Sequence, residues 1–135
     1  MLAGFGTDLL NIIVGVTVLL GILIIGFFIF SKLTSFNDIE EIKKGNVAAG
    51  IYMGSKMLSL CIIIAMVSFA TLDWLQMIVW SIVGIAILSI VYLVFDFLTP
   101  AFKIGEEMAA GNKAVALLLS GIIIGTSLVI GTYLL

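Results

Sequence analysis

The sequence predicts an all-α integral membrane protein of four transmembrane helices, built as two tandem two-helix repeats of the same topology. Three observations lead there. Hydrophobic residues make up 63% and charged residues 10% of the 135 positions, with a mean hydropathy of +1.38, whereas soluble domains carry about a quarter of charged residues. The apolar residues fall into four runs, each long enough at ~1.5 Å per residue to cross the ~30 Å hydrocarbon core. Finally, a charged segment occurs twice: Phe36–Ala48 reads FNDIEEIKKGNVA and Phe102–Ala114 reads FKIGEEMAAGNKA, 66 residues apart. Phe36/Phe102, Glu40/Glu106, Glu41/Glu107, Gly45/Gly111, Asn46/Asn112 and Ala48/Ala114 are identical in that register. A repeat of this kind decides the architecture and is sought first. It divides the chain into repeat 1 (residues 1–70) and repeat 2 (residues 71–135), each an apolar run, a charged elbow and a second apolar run.

The first run, Leu9 to Phe30, lacks a basic leader and a small-residue cleavage site, so it reads as a retained spanning helix rather than a signal peptide. Ser31–Lys44 is the first elbow. Phe36, Ile39 and Ile42 recur every three residues among acids and lysines, the pattern of a short amphipathic helix at the membrane surface. Gly45 permits a chain reversal and Asn46 is a good N-cap for the next helix. The second spanning helix covers about Val47 to Thr71. Asp73 and Trp74 mark the far boundary, with Trp as an interfacial anchor. The third covers about Leu75–Leu98 and is closed by Thr99-Pro100, since proline disfavours helical geometry in the residue before it. The second elbow ends at Gly111-Asn112, and the fourth helix starts near Lys113 and continues through the remaining residues.

Charge placement predicts the orientation. Lys32, Lys43, Lys44, Lys103 and Lys113 lie on the elbow side, while Asp8 and Asp73 lie on the other, where there is no Lys or Arg. Under the positive-inside rule both elbows are cytoplasmic and both termini external, in a prokaryotic cell (inner) membrane. Two repeats of equal topology are related by a pseudo-two-fold axis along the membrane normal, an arrangement known among transporters.

The doubled Glu-Glu-apolar-x-x-Gly-Asn-x-Ala elbow, each copy opening a helix rich in small residues, resembles the YjfL-like prokaryotic membrane family, domain of unknown function 350. Asp96-Phe97-Leu98-Thr99-Pro100 also resembles that family's lead-in to an elbow. The first copy departs from it, with Phe30 and Thr34 where the second has Asp96 and Pro100. The resemblance covers essentially the whole chain and implies the fold and topology but no reaction. It also implies a link to membrane-stress proteins resembling phage-shock protein A, and hence to envelope homeostasis.

Lys56 is the first candidate functional residue, because a charge within a spanning helix is expensive. About 24 Å of helix separates it from Asp73, placing its Cα inside the hydrocarbon layer. It either snorkels to the interface or pairs within the bundle, and Asp96, one turn before Pro100, is the candidate partner. Its repeat counterpart is the apolar Ile122.

The elbow acids Glu40, Glu41, Glu106 and Glu107 invite a four-carboxylate cation ring. The plainer reading is a solvated face, since adjacent helical residues point ~100° apart. Gly50-x-x-x-Gly54 and Gly121-x-x-x-Gly125 predict close packing of the second helix against the fourth, or against another subunit.

Enzyme chemistry has little to stand on. The chain has no His, a single Cys61 and no nucleotide fingerprint. No metal, cofactor or nucleic acid is expected, and Cys61 precludes an intrachain disulfide. The expected partners are the bilayer, further copies of the chain and cytoplasmic peripheral membrane proteins. Two functions follow: an oligomeric channel or transport subunit for an ion or small solute, or a scaffold whose elbows dock membrane-stress proteins.

Overall fold

A computed structural model describes residues 3–33, 38–98 and 104–135. Thr34, Phe36, Thr99, Pro100, Phe102 and Lys103, named above, lie outside the described residues. Among the described residues the chain forms α1 (Phe5–Lys32), α2 (Asp38–Lys43), α3 (Val47–Ala70), α4 (Trp74–Leu98), α5 (Ile104–Ala109) and α6 (Lys113–Leu134). The helices α1, α3, α4 and α6 are long and apolar enough to cross a membrane. Their ends lie within a few residues of the expected ones. Only α1 runs clearly longer, because Thr7 and Asp8 continue the helix beyond its apolar run.

The core is the α3–α6 pair. The two run in the same direction: Asn46 and Met108 meet at the elbow end, and Gly131 lies against Met66 and Ile62 towards the other end. Tyr52, Leu60, Ile63 and Val67 of α3 are buried, as are Ala116, Leu119 and Ile123 of α6. Helix α4 crosses α3 in the opposite sense, with Tyr92 beside Tyr52 and Gly84 beside Ile63.

Helix α1 lies parallel to α4 and is the least buried of the four. Gly15 meets the Trp74 indole and Gly26 meets Ile85, and the two contacts share one register. Trp74 is thus wedged against α1 as well as marking the helix boundary. A helix surrounded by lipid needs no polar outer face, which is why so many of the large exposed side chains here are aliphatic.

Small residues do mediate close packing, though not the expected ones. A Cβ on Gly84 would come within 2.6 Å of Ile63 Cγ2 and 2.7 Å of Leu134 Cδ1; on Gly131 it would come within 2.8 Å of Met66 Cγ. At Gly50, Gly54, Gly121 and Gly125 a Cβ would meet nothing within 4 Å. The expected contact between the second and fourth spanning helices is present, but the small residues buried on the two helices are Ala48, Ala49, Ser55 and Ser59 of α3 and Ala116, Ser127 and Gly131 of α6. The Gly-x-x-x-Gly stripes point away from the core, so within one chain they are not the packing surface.

At the end opposite the elbows, α3 passes into α4 through Thr71–Asp73. Asp73 caps α4, its Oδ1 accepting from the Gln76 amide at 3.1 Å, while the Thr71 hydroxyl accepts from the Asp73 amide at 3.1 Å. Asp73-x-x-Gln76 has the spacing of a capping box, a signal present in the sequence beside its reading as a boundary marker.

Candidate functional site

Two constellations bring sequence-singled residues together: the elbows and a buried polar cluster around Lys56.

The elbows share one backbone solution. Helix α2 ends in a Schellman motif, with Gly45 N–H bonding Ile42 O at 2.9 Å and Asn46 N–H bonding Glu41 O at 3.0 Å. Helix α5 ends the same way, with Gly111 N–H to Met108 O at 3.1 Å and Asn112 N–H to Glu107 O at 3.0 Å. Gly45 and Gly111 take φ of 82° and 74°, a left-handed conformation that costs other residues about 1–2 kcal/mol.

Each asparagine then opens the next helix. Asn46 Oδ1 accepts from Ala49 N–H and Asn112 Oδ1 from Val115 N–H, both at 3.3 Å. Each asparagine also turns its amide back to the second glutamate of its elbow: Asn46 Nδ2 donates to Glu41 Oε2 at 3.2 Å, and Asn112 Nδ2 to Glu107 Oε2 at 2.7 Å. The second glutamate of each elbow is therefore a brace on the N-cap. Glu41 also faces Lys44 at 3.5 Å, a long contact to an exposed lysine and of little energetic weight. The first glutamates, Glu40 and Glu106, are exposed. With the two acids of each pair facing different ways, no group of three or more His, Cys, Asp or Glu that could hold a metal comes together among the described residues.

The elbows differ in depth. Met108 is fully buried and Ile104 nearly so, whereas in the first elbow Ile42, three residues before the glycine as Met108 is, is 37% exposed and Ile39 is 53% exposed. Asn46 Nδ2 bonds the Met108 carbonyl at 2.6 Å, holding the second elbow against the base of α3. Helix α2 leaves Ile39 and Ile42 outward, the arrangement expected of a surface-lying amphipathic helix.

The second constellation lies within the spanning helices. Lys56 is fully buried, which rules out a stem extended to water. Helical side chains lean toward the N-terminus of their own helix, onto the residue four positions earlier. The Lys56 ammonium accordingly sits 4.1 Å from the centroid of the Tyr52 ring, itself fully buried. A desolvated cation–π contact of this kind contributes roughly 2 kcal/mol.

The Tyr52 hydroxyl lies 2.6 Å from the Tyr92 hydroxyl, so one donates to the other inside the bundle. The Tyr92 ring in turn packs against Phe30 of α1 at 5.4 Å between centroids. Ser55 donates to Tyr52 O at 2.7 Å. The Ser59 hydroxyl, one turn beyond Lys56 on α3, is fully buried with no hydrogen-bond partner among the described residues, as is that of Ser81 on α4. Tyr52, Tyr92 and Phe30 thus form a layer that joins α3, α4 and α1, with the Lys56 ammonium stacked on it from α3.

Asp96, the candidate partner of Lys56 in the pairing reading, is exposed on α4, and among the described residues no ion pair joins the two. The aromatic ring four residues before Lys56 takes the place that reading gives the carboxylate. Sequence reasoning missed Tyr52, Tyr92 and Phe30, although the Tyr52-x-x-x-Lys56 spacing was there to be read.

Over residues 4–134 the chain matches the family model described as Domain of Unknown Function (DUF350). It is 35% identical over 108 residues to the UPF0719 transmembrane protein YshE of Bacillus subtilis (strain 168), covering 80% of this chain and 81% of that one. No solved structure matches the chain. Four membrane-length apolar helices, a family match from near the first residue to near the last, and a transmembrane relative of similar length agree: the chain is a membrane protein and belongs to the DUF350 family.

Proposed function

We propose that the protein is a subunit of an oligomeric conduction or transport assembly for an ion or small solute in the prokaryotic cell membrane, with both elbows cytoplasmic and a role in envelope homeostasis. The observation that carries this reading is the fully buried Lys56 ammonium on the Tyr52 ring within a spanning helix. Burying a charge there is costly, and intramembrane ionisable groups mark substrate and ion pathways. A fixed cation beside a pathway favours anions over cations.

The α3–α6 core is close-packed and Lys56 has no exposed surface in the single chain, so conduction is assigned to association of copies, with Lys56 gating rather than lining the path. The outward Gly50, Gly54, Gly121 and Gly125 give α3 and α6 smooth surfaces for such an association. In this reading the two repeats are tandem copies related by a pseudo-two-fold axis.

Purified protein in liposomes, assayed for chloride, monovalent cation and proton flux, tests the reading. Flux above that of empty liposomes, altered by Lys56→Met, is expected. Absence of flux for every ion over a range of pH and voltage would sink it.

A second reading, docking of peripheral membrane-stress proteins, is favoured by a separate observation. Glu40 and Glu106 are exposed while Glu41 and Glu107 are bonded to their asparagines, so each elbow presents one acid at its surface. In that reading Glu40→Gln with Glu106→Gln abolishes recruitment and Lys56→Met leaves it intact.

A further inference from the structure

Between α1 and α4 runs an apolar groove of about 370 Å³, walled by Ile25 and Ile29 on one side and Ile82 and Ile90 on the other. It begins near Ile22 and Ile78 and ends at Leu33 and Leu93, at the elbow end. On α1 that is eleven residues, roughly 16 Å, close to the ~15 Å of one bilayer leaflet. The groove opens sideways from the bundle, as its wall residues are more than half exposed.

Its mouth carries charge of both signs. Lys32 follows the groove residues Ile25 and Ile29 by seven and three positions, and Asp96 follows the groove residues Ser89 and Leu93 by seven and three. Both spacings return to the same helix face, and both side chains are exposed.

The two charges are stacked, not level. The Gly26–Ile85 contact sets the register of the parallel pair, which puts Asp96 five residues, about 7.5 Å, further towards the elbow end than Lys32. Moving out of the membrane along the groove, the order is hydrocarbon, cation, anion. A glycerophospholipid with an amine headgroup presents the complement in the same order: acyl chain, phosphate, ammonium.

We propose that the α1–α4 groove is a binding site for one phospholipid of the elbow-side leaflet with a phosphatidylethanolamine-type headgroup. An acyl chain lies along Ile25, Ile29, Ile82 and Ile90, the phosphate meets Lys32, and the primary ammonium meets Asp96. A purely anionic lipid leaves Asp96 repelled, and a quaternary amine cannot donate a hydrogen bond to it. The site is independent of whether anything is conducted.

The full chain is reconstituted in phosphatidylglycerol vesicles containing a few per cent of phosphatidylethanolamine with a diazirine on its acyl chain, irradiated, and mapped by peptide mass spectrometry. Labelling is expected to concentrate on the walls of the groove, several-fold above the lipid-facing Leu117 and Leu118 of α6. Asp96→Asn and Lys32→Gln lower it several-fold, as does a phosphatidylcholine probe of the same chain. Ala86→Trp, which fills the groove, abolishes the enrichment; Leu93→Trp obstructs the mouth from its exposed side and does the same if Ala86→Trp fails to fold. Even labelling of all four helices, indifference to headgroup and to these variants, or a second copy cross-linked into the groove would each overturn the proposal.

Discussion

The side-chain amide of Asn46 donates to the main-chain carbonyl of Met108 at 2.6 Å, joining the cap of one spanning helix to the elbow that precedes another. The same Nδ2 donates to Glu41, and the same side chain's oxygen caps α3. One residue therefore serves its own elbow and the other elbow at once. Asn112, the matching asparagine of the second elbow, caps α6 and bonds Glu107.

The two asparagines should consequently respond differently to truncation. Asn112→Ala removes a cap, at about 1 kcal/mol. Asn46→Ala removes a cap and a partly buried hydrogen bond to the second elbow, at about 2 kcal/mol in all. Asn46→Asp keeps the capping oxygen but sets a carboxylate oxygen against the Met108 carbonyl and the Glu41 carboxylate, and so loses at least as much as Asn46→Ala. Reversible unfolding in mixed micelles gives the ranking, and equal losses at the two positions would count against the asymmetry.

Replacement by alanine should sort the glycines into three groups. Gly84→Ala puts a methyl into Ile63 and Leu134 and is expected to cost about 1–3 kcal/mol. Gly45→Ala and Gly111→Ala force a left-handed φ on a residue with a Cβ, at about 1–2 kcal/mol each. Gly50→Ala, Gly54→Ala and Gly121→Ala meet open space and leave the unfolding midpoint of the single chain within error or slightly raised. If those open faces join copies of the chain, Gly54→Ile shifts the oligomeric distribution in cross-linking while the fold survives.

The tyrosine pair makes a non-additive prediction. Tyr52→Phe or Tyr92→Phe strips one hydroxyl from the 2.6 Å bond and leaves the other buried without it, costing about 1–3 kcal/mol. The double Phe variant removes both groups and should be less destabilised than the sum of the singles. A double-mutant cycle with no coupling energy would show that the hydroxyls do not depend on one another.

Lys56→Met is expected to fold as well as the wild type or better, because replacing a buried charge by an apolar chain of similar volume is often neutral or stabilising. Lys56→Ala instead leaves a cavity beneath Tyr52 and should cost about 2–4 kcal/mol, by analogy with other long buried side chains. A stable Lys56→Met chain with altered flux separates the role of the charge from that of the packing.

Much of this fold was legible because the bilayer imposes length and polarity on each spanning segment, and the sequence has four apolar runs of that length, the second carrying one charge, Lys56. The elbows were legible for a local reason: Gly45-Asn46 and Gly111-Asn112 encode a left-handed turn and a cap within two residues. Which face of each helix turns inward was not legible. Lipid and core are both apolar, so Leu58, exposed, and Leu60, buried, look alike in sequence.

For the same reason Gly50 and Gly54 could not be told from Gly84 and Gly131 by spacing alone. The Lys56 environment was half legible. Depth marks the charge, but depth alone does not tell snorkelling or a carboxylate partner from the aromatic ring four residues earlier on the same helix. The depth difference between Ile42 and Met108 has no counterpart in residue type, since both are large and apolar; it follows from the position of α5 against α3.

The α3–α6 pairing also has a bearing on biosynthesis. Helix α1, the most apolar span, can rest in lipid alone as soon as it leaves the translocon. Helix α3 cannot do so as easily, because it enters with Lys56 and is the least apolar of the four, while its most extensive partner, α6, is still to be synthesised. Tyr52 travels with Lys56 on the same helix, so the ammonium carries part of its shelter through insertion before any other segment arrives. The nascent chain is then most exposed to quality control between the emergence of α3 and that of α6, and a ribosome stalled in that interval should leave α3 more accessible to aqueous thiol reagents at an introduced cysteine than it is in the finished protein.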